Sequence, residues 1–348
     1  MLRSLVLSFA LSLCAAAAIA EAPSPEPAAA VAPLRDRLAE VLDEAAGLEA
    51  LKAVVVAHDG EILAERGYRG HTPAGSTNIK SASKSVISAL VGIAIDKGVL
   101  DGPDQTIAPI LARDLPADPD PRLADITIGH LLSMQAGLER TSGANYGSWV
   151  ASRNWVRDAL ARPFVDEPGG AMLYSTGSTH LLSAILTRAT GRSTLDIARD
   201  WLGPLEDFAI GGWERDPQGI YLGGNQMAMS TRSLLAFGEL YRRGGLTAGG
   251  RRLLSQDWID RSWQQRTNSR FTGDGYGYSW FLREIGGHDV RYAWGYGGQM
   301  LYIVPDLDLT VAMTSEDTAS AARNGHRDAL HRLMGEIILT MRLDERER

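Results

Sequence analysis

From Val86 to Ile95 the chain reads Val86-Ile87-Ser88-Ala89-Leu90-Val91-Gly92-Ile93-Ala94-Ile95, an almost uninterrupted apolar series of helix length. A helix with no polar face wide enough for water has to be packed on every side by other elements. The run is opened by Ser81-Ala82-Ser83-Lys84. Residues three apart share a helix face, so the Ser81 hydroxyl and the Lys84 amine are expected within hydrogen-bonding reach, about one turn apart. Ser81 is expected in the first turn, where unpaired N–H groups and the helix dipole favour negative charge on its oxygen. An amine on so apolar a helix is desolvated, which disfavours its charged form and suits it to accept a proton. Together these are the parts of an activated serine nucleophile. The competing reading, a capping serine beside a solvated lysine, sits poorly with the apolar run that follows.

The chain has 348 residues, 45% of them hydrophobic and 22% charged, enough to bury a large core in one domain or two intimate subdomains. A net charge of −7 without a long basic run argues against a nucleic-acid partner. Met1-Leu2-Arg3, the apolar stretch from Ser4 and the small residues Ala18-Ile19-Ala20 read as a signal peptide over 1–20, cleaved near Ala20. An exported protein, periplasmic or secreted, is therefore expected. The apolar stretch is short for a bilayer span and no stop-transfer charges follow it, so no stable membrane span is expected. The sole cysteine, Cys14, lies inside this segment. Cleavage after Ala20 would leave no thiol, and with none there would be no disulfide, cysteine catalysis or thiolate metal site. Residues 21–33, rich in Ala and Pro, read as a disordered tether.

Folding is expected to begin near Leu34. Leu34, Leu38, Val41 and Leu42 recur at helical spacing, and apolar runs on either side of Asp59-Gly60 predict a β-hairpin. From 103 to 250 the pattern is helical, with segments over 128–134, 149–160, 179–189, 194–202 and 230–243 and no hairpin signal. Strand character returns at 277–282, 290–294, 300–304 and 309–313, and a helix over 326–341 closes the chain. The expected fold is α/β (α+β): an antiparallel sheet built from both chain ends, flanked by helices, with an inserted helical lobe. This divides 34–348 into an α/β lobe (34–100 and 251–348) and a helical lobe (101–250), with the site in the cleft between them.

Two further stretches carry chemistry. Gly169-Gly170-Ala171-Met172-Leu173-Tyr174-Ser175-Thr176-Gly177 places Tyr174 in a loop before a helix, where its phenol would relay a proton; the alternative is a packed structural tyrosine. Trp294-Gly295-Tyr296-Gly297-Gly298-Gln299 is glycine-dense at the end of a strand, as where a ligand approaches backbone or where a hairpin turns. Such a strand would supply a main-chain N–H to an oxyanion hole together with that of Ser81. No Gly-x-Ser-x-Gly elbow, His-Glu-x-x-His motif or Lys-Ser/Thr phosphate loop occurs, and the seven histidines, including His180, show no ligand-like clustering. No metal or cofactor is expected. Trp149, Trp155, Trp213, Tyr278, Trp280 and Trp294 would line an apolar cleft or the core.

Taken in order, Ser81-Ala82-Ser83-Lys84, the segment from Ile126 to Leu138, Tyr174-Ser175-Thr176 and Gly295-Tyr296-Gly297-Gly298-Gln299 resemble the serine β-lactamase and penicillin-binding-protein superfamily. The resemblance is to its class C-like branch of esterases and 6-aminohexanoate-dimer hydrolases, and it runs from Leu34 to the last helix. It implies Ser81 as acylated nucleophile, Lys84 as its activator, Tyr174 as proton shuttle, and the N–H groups of Ser81 and Tyr296 as the oxyanion hole. Thr176, Trp294, Gly295 and Gly297 would contact substrate, a small ester or amide. Two departures stand out. Thr176 replaces the Asn of a Tyr-x-Asn element, and Ala293 stands where β-lactamases and D,D-peptidases place a Lys or His that holds a substrate carboxylate. Arg291, on the same strand face, is a candidate replacement. The expected activity is thus ester or linear-amide hydrolysis. A β-lactamase or cell-wall D-amino-acid peptidase, and a silent relative that binds peptidoglycan or a partner, are the alternatives.

Overall fold

The computed structural model describes residues 27–347. The expected signal peptide and the first part of the tether lie outside them. Helix α1 (Pro27–Glu44) starts earlier than the composition suggested, so residues 27–33 are helical rather than tether. Proline is well placed at a first helical position, and the Ala-rich run after it has high helix propensity. Among the described residues no helix is long and apolar enough to cross a bilayer.

The hairpin around Asp59-Gly60 forms as expected from β1 (Leu51–His58) and β2 (Glu61–Gly67), with both turn residues at positive φ, 44° and 84°. Next come β3 (Ser76–Asn78), the buried helix α2 (Ser83–Asp96) and α3 (Ile128–Leu132). The run expected as one helix from Trp149 is split into α4 (Tyr146–Val150) and α5 (Trp155–Leu160), because the Asn154 side chain accepts the Arg157 N–H and restarts the helix. The middle continues with α6 (Thr176–Thr190), α7 (Thr194–Trp201), the short strands β4 (Gly212–Trp213) and β5 (Met227–Ser230), α8 (Thr231–Arg242) and α9 (Gln256–Trp263). The last part supplies β6 (Thr267–Asn268), β7 (Gly275–Tyr276), β8 (Phe281–Ile285), β9 (His288–Gly295), β10 (Gln299–Val304) and β11 (Leu309–Ser315), then α10 (Ala319–Arg323) and α11 (His326–Glu347).

Both chain ends build one antiparallel sheet in the order β2-β1-β11-β10-β9-β8-β7-β6. Its central strands are apolar without alternation because both faces are covered. Val55, Ala57, Leu301, Ile303 and Ala312 pack toward the core that contains α2, α6 and α8. Val54, Val56, Met300, Tyr302, Val311 and Met313 pack toward α1 and α11. Helix α8 lies against β1, β10 and β11. A second sheet, β3-β5-β4, joins the segment ahead of Ser81 to the helical lobe and was not expected there. Its strands are too short to show a period.

Helix α2 is buried from Ser83 to Ala94. Its two interior serines donate outward, Ser85 to the Ser279 carbonyl at 2.7 Å and Ser88 to the Tyr278 carbonyl at 2.9 Å. Those bonds hold Tyr278–Trp280 out of the sheet, with Ser279 at φ 65°, and the expected strand over 277–282 is broken into β7 and β8. Gly92 makes room for the Trp258 indole, which a Cβ would approach to 2.4 Å. Gly92→Ala is expected to destabilise the protein by about 1–3 kcal/mol through overpacking. Denaturant unfolding checks this, and an unchanged midpoint contradicts the packing described.

Candidate active site

Ser81 sits in a single 3₁₀ turn (Lys80–Ala82) that runs directly into α2, rather than in the α-helix proper. The turn is entered through Lys80 at φ 49°, a left-handed conformation that points the chain sharply into the helix. Lys84 lies one turn on, and its Nζ is 2.9 Å from Ser81 Oγ, as the spacing predicts.

Three further groups shape the surroundings of the amine. The Gly224 carbonyl accepts from Nζ at 2.7 Å, and Thr176 Oγ1 lies at 3.4 Å. The Tyr174 ring centroid is 5.0 Å away. Lys84 is only 1% exposed, no carboxylate among the described residues pairs with it, and burial brings it down from 10.5 to about 7. A neutral amine has two N–H donors and one lone pair. With Gly224 and Thr176 taking the donors, the lone pair faces the Ser81 hydroxyl, which donates to it. Gly224 has to be glycine: at φ 79°, a Cβ would stand 2.6 Å from Lys84 Cγ and 3.1 Å from Nζ. Neither Gly224 nor Ser142, whose hydroxyl lies 3.0 Å from Thr176 Oγ1 and accepts the Thr176 N–H at 2.9 Å, carried any local signal in the sequence.

Tyr174 is held from both sides by the motif at 126–138. Leu173 N–H donates to the Met134 carbonyl at 2.8 Å and Ser175 N–H to Met134 Sδ at 3.4 Å, with Met134 itself at φ 62°. Phe281 stacks on the ring at 6.3 Å. Burial pushes the phenol up to about 12, opposed by its hydrogen bond with Ser81. The two pKa values are therefore driven apart, and between about pH 7 and 12 both groups are uncharged. The lysine is then the proton acceptor and the tyrosine a donor, not a phenolate.

The end of β9 meets the nucleophile turn edge-on. Gly295 lies so close to the Ile79 carbonyl that a Cβ would stand 2.1 Å from it, and Tyr296 follows directly. Gly297, at φ 88°, packs against the Glu316 carbonyl, 2.2 Å from where a Cβ would be. Thr176 is 4% exposed and lines the cleft, and its hydroxyl lies within reach of Ser142 and Lys84. Ser81, Tyr174, Trp294 and Tyr296 line a cleft of about 720 Å³. Of the other aromatics singled out, Trp149 and Trp280 are fully buried core.

The missing cation is not restored by Arg291, which pairs with Asp289 at 3.2 Å and does not line the cleft. Ala293 is 2% exposed and belongs to the core under α2. Three other cations do line the cleft: Lys80, Arg140 and Arg327. Lys80 pairs with Asp317 at 3.0 Å and Arg327 with Asp328 at 2.9 Å. Arg140 lies over the Phe271 ring at 5.4 Å and has no carboxylate partner among the described residues.

Burying Lys84 has a consequence for stability. Between about pH 7 and 10.5 the unfolded chain holds a proton on Lys84 that the folded protein lacks, so stability rises with pH across that window. Relative to Lys84→Met, the wild type is expected to gain up to about 1.4 kcal/mol per pH unit there. Urea denaturation of both proteins at pH 7, 8 and 9 reads this slope, and parallel curves contradict a neutral buried amine.

Residues 36–335 match the Beta-lactamase family. Among curated proteins, the "Probable fimbrial assembly protein FimD, serogroup H1" of Dichelobacter nodosus is 32% identical over 180 residues, 48% of this chain and 44% of that protein. The chain thus matches less than half the length of that relative. The 6-aminohexanoate-dimer hydrolase of Paenarthrobacter ureafaciens is 24% identical over 305 residues, 79% of this chain and 74% of the relative. Among solved structures, EstCE1, described as a hydrolase with promiscuous acyltransferase activity, superposes with a TM-score of 0.70 at 18% identity, covering 88% of this chain and all (100%) of the other. That likeness shows the shared fold: an antiparallel sheet from both chain ends with helices on both faces. With the family match spanning most of the chain, this protein is a member of the Beta-lactamase family.

Proposed function

We propose that this protein is an exported serine hydrolase that cleaves a carboxylic ester or a small linear amide through a covalent acyl-enzyme. The observation that carries the reading is the 2.9 Å contact between Ser81 Oγ and a buried Lys84 brought down to about 7, with Tyr174 beside both. As Ser81 Oγ bonds to the acyl carbon, its proton passes to Lys84 Nζ. The carbonyl oxygen takes up the electron pair and is met by the N–H groups of Ser81 and Tyr296. When the bond to the leaving group breaks, Tyr174 protonates the departing alcohol or amine and regains its proton from Lys84. Water then repeats the sequence on the acyl-enzyme and releases the acid. No step calls for a cofactor.

The preference for esters and linear amides over β-lactams and D-amino-acid peptides rests on the third element. Where a carboxylate-holding cation is expected, the chain has Ala293, turned into the core. Arg140, unpaired and stacked on Phe271, is the group available to an anionic end of the substrate instead. Export is supported by the apolar leader from Ser4 to Ala20.

Hydrolysis of p-nitrophenyl acetate by wild type and by Ser81→Ala tests the reading. The variant is expected to lose activity by a factor on the order of a thousand or more. A fluorophosphonate probe is expected to add its mass to the Ser81 peptide of the wild type alone. Equal rates overturn the assignment, and penicillin turnover on the scale of ester turnover overturns the substrate preference.

A further inference from the structure

Behind the Gly223–Gly224 peptide lies a histidine and aspartate pair that the catalytic sequence above does not use. His180, on α6, and Asp216, ahead of β5, both have side chains with 0% exposure. His180 Nε2 is 3.1 Å from Asp216 Oδ2, and His180 Nδ1 accepts the Gly223 N–H at 3.3 Å. A backbone N–H only donates, so the Nδ1 lone pair faces Gly223 and the ring proton sits on Nε2, donated to Asp216. Asp216 is itself fixed: its Oδ1 accepts from Gln218 N–H and Ile220 N–H, each at 2.8 Å. The Trp149 and Trp155 rings close over the imidazole at 5.6 and 5.7 Å. A Cβ on Gly223 would come within 2.2 Å of the Thr179 carbonyl, so the backbone at Gly223 packs directly on α6.

A buried carboxylate and imidazole cost desolvation that an apolar pair of similar volume would avoid. The pair sits one peptide away from the carbonyl that orients Lys84. We infer that His180, aligned by Asp216, is a positioning residue for the base: by holding the Gly223 N–H it anchors the Gly223-Gly224 backbone turn, so that the Gly224 carbonyl takes one N–H of Lys84 and leaves its lone pair aimed at Ser81. This inference rests on the reading of Lys84 as the proton acceptor. Without the His180 acceptor, the peptide turns, Lys84 loses its 2.7 Å partner, and water enters to solvate the amine. The titratable and charged groups that bear on the outcome are few. Lys84 is faced by Tyr174 and the Ser81 hydroxyl, and His180 by Asp216.

The test is the pH dependence of kcat/KM for p-nitrophenyl acetate in full-length wild type and two variants, each checked for a native circular dichroism spectrum. In the wild type the acid limb is expected at about pH 7. In His180→Leu, kcat/KM is expected to fall by about ten- to a hundredfold, mostly in kcat, and the limb to move up by roughly one pH unit as Lys84 is solvated. His180→Asn, whose amide oxygen stands near the Nδ1 position, is expected to recover most of both. A limb that stays in place in folded His180→Leu means the pair only supports the fold, and overturns the inference while leaving Lys84 as base. A wild-type profile without a limb near 7 overturns the base and the inference together. If His180→Leu does not fold, Asp216→Asn carries the test. Its carboxamide oxygen keeps the two backbone bonds, its NH₂ faces His180, and the ring proton is driven onto Nδ1 against the Gly223 N–H. The same upward shift of the limb is then expected, and an unmoved limb overturns the inference.

Discussion

A lysine amine taken out of water is the constraint around which this protein is arranged. An isolated buried ammonium is costly, so the folded state favours the neutral amine, and a neutral amine beside a serine hydroxyl is a base. The apolar circumference of α2 exists to bury that amine. The glycine at 224 exists to bring a carbonyl onto it, and Thr176 holds its other N–H. Tyr174 closes the remaining side and is kept protonated by the same burial. In the proposed mechanism desolvation is converted into reactivity, at a cost in stability that the two cores on either side of the sheet have to offset.

The sheet gives this arrangement its rigidity. Because strands from both chain ends are interleaved, the end of β9 and the turn carrying Ser81 are parts of one packed unit although over two hundred positions separate them in the sequence. Gly295 presses on the Ile79 carbonyl and sets the distance between the nucleophile and the Tyr296 backbone. The tyrosine comes from the helical side, anchored by Met134, so the cleft between the lobes is where all three parts meet. Membership of the Beta-lactamase family accounts for this frame.

What could be read from the residues alone was what local periodicity and fixed spacing encode. Ser81 and Lys84 are one turn apart, the Asp59-Gly60 hairpin is a two-residue turn, and the strands from 288 to 315 are long enough to show themselves. The small sheet was illegible because β4 and β5 are too short to carry a period, and β5 pairs with β3 from far upstream. Gly223–Gly224 looks like any loop until the fold places it on a lysine 140 positions earlier. His180 is illegible for a related reason: as a lone histidine on an apolar helix it has no partner until Asp216 folds against it. Arg291 was a fair candidate by strand alternation, but its face turned out to lie outside the cleft and next to Asp289.

The charge state of Lys84 is the quantity on which the account turns, and it can be observed without any substrate. Protein labelled with ¹⁵N at lysine Nζ, titrated by NMR between pH 5 and 11, reports the Lys84 ammonium directly when compared with Lys84→Met to assign its signal. The account predicts a midpoint at about 7. A Lys84 midpoint near the ordinary lysine value of 10.5 would contradict it.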